Sequence, residues 1–118
     1  MIGMPSSIRI YLATEPADMR KGPDGLAQLV RASFDESVFS GHIFAFLSRR
    51  RNRAKLLWWD RGGFVVYYKR LERGCFRRPV VDGSGHVQLS AAELQSLLEG
   101  IDLSSAPRAR LWEPRVAA

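Results

Sequence analysis

Eleven Lys or Arg residues fall between Ser48 and Arg78: Arg49, Arg50, Arg51, Arg53, Lys55, Arg61, Lys69, Arg70, Arg73, Arg77 and Arg78. Only two acids, Asp60 and Glu72, accompany them, so the stretch carries a formal charge of +9. The remaining segments hold seven basic and ten acidic residues, a balance of −3, so the chain's net +6 arises in this one block. Trp58, Trp59, Phe64, Tyr67, Tyr68 and Phe76 are interleaved with the cations. Cations attract a polyanion, and aromatic faces can stack on its bases. A solvated basic face over an aromatic core would give the same composition, and both readings stay open at this level.

A second cationic motif is Asp18-Met19-Arg20-Lys21-Gly22. It precedes a predicted helix, whose first N–H groups and macrodipole also favour anions. Arg20 and Lys21 could hold a phosphate there. Alternatively, Asp18 pairs with Arg20 or caps a turn, and Lys21 is merely solvated. The adjacent Trp58 and Trp59 point to opposite faces if they lie on a strand. One is then expected in the core. The other is expected to face the second side, where it stacks on a base or packs under a loop or a partner.

Catalytic constellations are harder to find. Asp18, Asp24, Asp60 and Glu72 are the acids that a divalent metal would need, but their spacing matches no metal motif. Capping and local ion pairing account for them as well. No Cys and His cluster fits zinc. Cys75 with His42 or His86 is a conceivable thiol–imidazole pair without further support. Ser6, Ser7, Ser40 and Ser48 lack a nucleophile-elbow context. Gly62-Gly63 is too short to cradle a phosphate ahead of a helix. The sequence therefore calls for no catalytic residue, no metal and no cofactor.

The elements that must position these residues follow from periodicity. Ile8, Ile10 and Leu12 alternate with Arg9, Tyr11 and Ala13, which predicts a strand with one apolar face. Pro23 followed by Leu26, Leu29, Val30 and Phe34 predicts a helix ending near Phe34. His42 to Leu47, Ala54 to Asp60 and Phe64 to Arg70 predict three strands. Arg61-Gly62-Gly63 turns between the last two. Short links make the three an antiparallel meander. Arg73-Gly74 and Asp82 to Gly85 read as turns, and His86 to Leu89 as a short strand. Ser90 and Glu93 form a capping box for a second helix, which carries Leu94, Leu97 and Leu98 and stops at Gly100. The expectation is a small single α+β domain over residues 1–103, with an antiparallel β-meander and two or three helices. Residues 104–118 read as a tail in which Trp112 docks.

At 118 residues the chain has room for one core. No apolar run is long enough to span a bilayer. Residues 1–7 lack the pattern of a secretory signal, and a lone cysteine suits a reducing compartment. A cytoplasmic location is expected.

Several motifs resemble one family. Asp18-Met19-Arg20-Lys21-Gly22, Asp24-Gly25-Leu26 and Phe39-Ser40-Gly41-His42 stand in its order and spacing. So do Lys55-Leu56-Leu57-Trp58-Trp59-Asp60, Lys69-Arg70-Leu71-Glu72-Arg73-Gly74 and Leu97-Leu98-Glu99-Gly100-Ile101. From Ile8 through Trp112 the chain resembles the TnpB-type accessory proteins of insertion-sequence family sixty-six elements, which are distinct from the RNA-guided nuclease of the same label. It departs from their pattern at Pro23, where a larger apolar residue is usual. It also departs at Cys75, where Arg is common, and at Arg78, where Trp is common. The resemblance implies a small bacterial protein encoded beside a separate, larger transposase and needed for efficient movement of the element.

The first functional expectation is a non-catalytic accessory factor that binds DNA. Its contacts would be Arg20, Lys21, Arg49, Arg50, Arg51, Arg53, Lys55, Lys69, Arg70, Arg73, Arg77 and Arg78, with Trp58 and Trp59 for stacking or partner contact. The second is an adaptor that docks the transposase. The third is a metal-dependent nuclease using Asp18, Asp60 or Glu72. A homo-oligomer is left open, and no membrane partner is expected.

Overall fold

The computed structural model describes residues 7–77 and 85–100. The element order is β1 (Ile10–Ala13), α1 (Pro23–Ser33), β2 (Ile43–Leu47), β3 (Arg53–Asp60), β4 (Gly63–Arg70), β5 (His86–Leu89) and α2 (Ala91–Glu99). The strands form one sheet in the order β4-β3-β2-β1-β5. The meander β2-β3-β4 is antiparallel, as expected, and the fold is α+β. The sheet as a whole is mixed, because β1 runs parallel to β2 and antiparallel to β5. A parallel neighbour requires a crossover, and α1 supplies it.

The β1 expectation needs a correction. The strand begins at Ile10, and all four of its residues are buried. It lies inside the sheet rather than facing solvent on one side. Ile10 and Leu12 join a core beneath α2, with Leu56, Phe76, Leu94 and Leu97. Tyr11 and Ala13 join a second core beneath α1, with Leu26, Val30, Phe44, Phe46 and Leu57. Tyr11 tolerates burial because its hydroxyl donates to Glu36 Oε1 at 2.8 Å.

α1 has Gly22 as its N-cap and Pro23 at its first position, where the missing N–H costs nothing. Gly22 gives no side-chain cap. α2 is fully capped: the Ser90 hydroxyl accepts from Glu93 N–H, and the Glu93 carboxylate accepts from Ser90 N–H. Between β3 and β4, Arg61 (φ 37°) and Gly62 (φ 87°) both adopt positive φ. That is the two-residue turn whose twist suits a hairpin. The register from Asp60↔Gly63 to Arg53↔Arg70 is unbroken. The tail expectation, with Trp112, and the turn at residues 82–84 lie outside the described residues.

Candidate functional site

The two loops at the carboxyl ends of the parallel strands β1 and β2 lie side by side. Ala17 N–H donates to Leu47 C=O at 2.9 Å, tying the loop after β1 to the end of β2. In such sheets this edge, together with the helix that starts there, forms the natural ligand crevice. Here it is an open cleft of about 380 Å³, lined in part by Asp18, Arg20, Ser48, Arg49, Arg50 and Arg53. Arg20 is thus brought beside the arginine turn, although about thirty positions separate them in the chain.

Partly buried hydrogen bonds hold the arginine turn. The Ser48 hydroxyl accepts from Arg53 N–H at 3.1 Å and donates to Asn52 Oδ1 at 3.2 Å. Ser48 N–H donates to Arg53 C=O, and Arg51 N–H to Ser48 C=O. Arg51 takes a positive φ of 58° there. Leu71 N–H donates to Asn52 C=O and Phe76 N–H to Arg51 C=O, so the chain after β4 braces the turn from outside. The exposed Arg73 and Arg77 flank that brace. Arg49, Arg50 and Arg53 are exposed on a fixed backbone, and Arg51 is half-buried. The turn presents charge without the entropy cost of ordering a loose loop.

The loop after β1 shows the alternative weighed from sequence. Arg20 Nε and Nη2 donate to the Asp18 carboxylate at 2.8–3.1 Å, and Arg20 N–H also donates to Asp18 Oδ1. These bonds hold the exposed Asp18 carboxyl well below the usual carboxylate range. They do not exhaust Arg20. A guanidinium has five N–H donors, and the carboxylate engages only Nε and Nη2. Lys21 leans its stem on Gly25. Its carbonyl accepts from Lys55 Nζ at 2.7 Å.

Strand parity sorts the other expected cations. Arg53, Lys55 and Arg70 share the α1 face with Leu57 and Val66, and Lys69 lies on the opposite face. Lys55 is engaged by Lys21 C=O and sits 5.6 Å from the Tyr68 ring centre. Lys69 Nζ donates to Leu98 C=O at 2.6 Å, tying β4 to the end of α2. Arg70 pairs with Glu72 at 3.0 Å. Arg78 lies outside the described residues.

The tryptophans do divide between faces, but neither is fully buried. Trp58 packs against the α2-side core. Trp59 meets Phe39 and Phe64 at ring-centre distances of 5.1 Å each. That trio occupies the far end of the α1 face, away from the arginines. Phe39, which is 53% exposed, stands out in the sequence only as part of a family motif, and Tyr68, which is 49% exposed, only as one of the interleaved aromatics. The sequence sets Ser48 aside as a nucleophile, and the residue proves to be the turn's internal brace. Only tertiary placement distinguishes these roles.

Among the described residues no group of three or more His, Cys, Asp or Glu could hold a metal ion. No helix among them is long and apolar enough to cross a membrane.

The fold and cleft define a small α+β protein with a fixed cluster of arginines. Residues 8–108 match the model of the family described as IS66 Orf2 like protein, and the chain belongs to that family. Membership supports an accessory role in transposition. Two similar proteins come from Sinorhizobium fredii (strain NBRC 101917 / NGR234), both described as uncharacterized. The protein y4jC is 35% identical over 119 positions, covering 100% of each chain. The protein y4hO is 35% identical over 102 positions, covering 86% of this chain and 88% of that one. No solved structure matches the chain.

Proposed function

We propose that this protein is a non-catalytic accessory factor of transposition that binds the phosphate backbone of element DNA in the cleft between the loops after β1 and β2. One observation carries the reading: Arg20, Arg49, Arg50 and Arg53 converge from two separate loops on a single cleft beside a helix start. Fork-shaped guanidinium groups suit phosphate oxygens. The asymmetry between backbone-held turn and free side chains supports phosphate contact rather than a solvated face. Exposed Tyr68, beside Lys55, offers a stacking surface at the edge of the same patch. Lys69 falls outside the proposed contact set, because it is on the other face and bonded to α2.

A second reading, docking of the transposase, draws on a different feature. A groove of about 470 Å³ runs between α2 and β4, with Tyr67, Leu94 and Leu98 along it. The two readings separate in one experiment. Labelled element-end duplex is titrated with the protein across a salt series, with and without Mg2+. The proposal expects binding that weakens steeply with salt and is indifferent to Mg2+, with the duplex left intact. No binding at low salt, with nuclease-resistant capture of the transposase, would transfer the role to the groove. Cleavage that needs Mg2+ would replace both with a nuclease.

A further inference from the structure

Among the described residues β4 is an open sheet edge eight residues long, while β5, at the other edge, has four. Long open edges pair with other strands unless something blunts them. β4 has no proline, no interior glycine and no bulge. Its charges, Lys69 and Arg70, sit at one end only.

The hairpin geometry tells which backbone groups are open. A two-residue turn of this type closes on a hydrogen-bonded pair, here Asp60 and Gly63. Alternation then turns the N–H and C=O of residues 63, 65, 67 and 69 toward β3. Those of Phe64, Val66, Tyr68 and Arg70 point outward. Two identical strands can pair antiparallel about a two-fold axis through one residue. Centring on Tyr67 matches Val66 with the partner's Tyr68, and Phe64 with the partner's Arg70. All four outward residues are then hydrogen-bonded. On the α2 face, Val65 meets the partner's Lys69 and Tyr67 meets the partner's Tyr67. No like charges stand opposite one another.

This register also covers the aromatic trio Phe39, Trp59 and Phe64, in which Phe39 is exposed and Trp59 and Phe64 are half-buried. The trio lies on the α1 face at the Gly63 end of β4, and Arg70 lies on the same face at the other end. Antiparallel pairing brings the partner's Arg70 over the trio, a cation against aromatic faces, and the contact occurs twice by symmetry.

We propose that two copies of this chain pair edge to edge through β4, centred on Tyr67, into one ten-stranded sheet with both α1 faces on the same side and the two arginine clefts at opposite ends along the strand direction. Arg70 and the partner's Arg70 are then six strand positions apart, about 20 Å along the strand direction. The proposal is independent of the DNA reading, and its test uses no DNA. Light scattering behind size-exclusion chromatography should give twice the chain mass of 13.3 kDa. Val66→Pro removes an outward N–H and spares the β3 ladder, so it should give the single-chain mass. In a Cys75→Ser background, Tyr67→Cys should oxidise to a disulfide-linked dimer, because that non-hydrogen-bonded pair brings Cα atoms to about 4.5 Å. Tyr68→Cys, offset by two positions from its own copy, should not. The cysteine pair decides the matter even if Val66→Pro fails to fold. A single-chain mass at every concentration would overturn the proposal. A dimer that cross-links at position 68 and not at 67, or that survives Val66→Pro intact, would overturn it by putting the interface elsewhere.

Discussion

Replacing Arg49, Arg50 and Arg53 together with Gln removes three cations from the cleft and leaves its backbone bonds in place. The side chains are exposed, so stability should change by no more than about 0.5 kcal/mol per site. Binding should change much more. Each neutralised phosphate contributes about 0.9 to the log–log salt slope on duplex DNA. If Arg20, Lys21, Arg49, Arg50 and Arg53 each meet a phosphate, the wild-type slope is about −4.5, and the variant's is about −1.8. Between 50 and 200 mM salt, wild-type affinity then falls roughly 500-fold and the variant's only about 12-fold. Fluorescence anisotropy on a labelled element-end duplex measures both slopes, and a thermal melt confirms the fold. An unchanged slope in a folded variant would refute the assignment of phosphate contact to this turn.

Other consequences follow from the same geometry. Ser48→Ala deletes the hydroxyl that joins Arg53 N–H to Asn52. It should cost about 1–3 kcal/mol by denaturant unfolding and weaken DNA binding although no charge is lost. Trp59→Ala should cost less than Phe44→Ala, because Phe44 is fully buried and its loss should reach about 3–5 kcal/mol. Trp59 contributes two ring contacts worth about 0.5–1.5 kcal/mol each, and paired melts rank the two. Asp18→Asn removes a negative charge from the cleft beside Arg20, so binding should tighten, while the salt slope, which already counts Arg20, should stay near its wild-type value. Asp18's carboxyl is depressed in the folded protein. Its contribution is therefore complete above the ordinary carboxylate range and is lost only as pH falls through the depressed value. Binding measured between pH 5 and 8 should show no titration from this residue.

Much of the fold was legible because its signals are local. The capping box at Ser90 and Glu93 and the Pro23 start of α1 appear where the residue types demand them, whereas the turn before β4 uses Arg61 and Gly62 at positive φ and leaves Gly63, the second of the glycine pair, in the strand. The β1 error was one of context. Tyr11 reads as a polar position in an alternating strand, yet it is buried because Glu36, on a distant loop, accepts its hydroxyl. The parallel pairing of β1 with β2 was equally invisible, since a strand's own residues do not name its neighbour. The site was legible in charge and not in geometry. The arginine turn stood out by density, but its meeting with Arg20 depends on the crossover. The use of Lys69 on the carbonyl of Leu98 depends on where α2 ends in space.

The proposed DNA contact is the cleft at the carboxyl ends of β1 and β2. Titrating the isotope-labelled protein with unlabelled element-end duplex and following each amide resonance tests it most directly. Shifts are expected to concentrate at Ala17 to Gly22 and Ser48 to Arg53, with smaller ones at Lys55 and Tyr68, all reversed by added salt. Shifts confined to Tyr67, Leu94 and Leu98 in the α2 groove, or none at saturating duplex, would contradict the proposal.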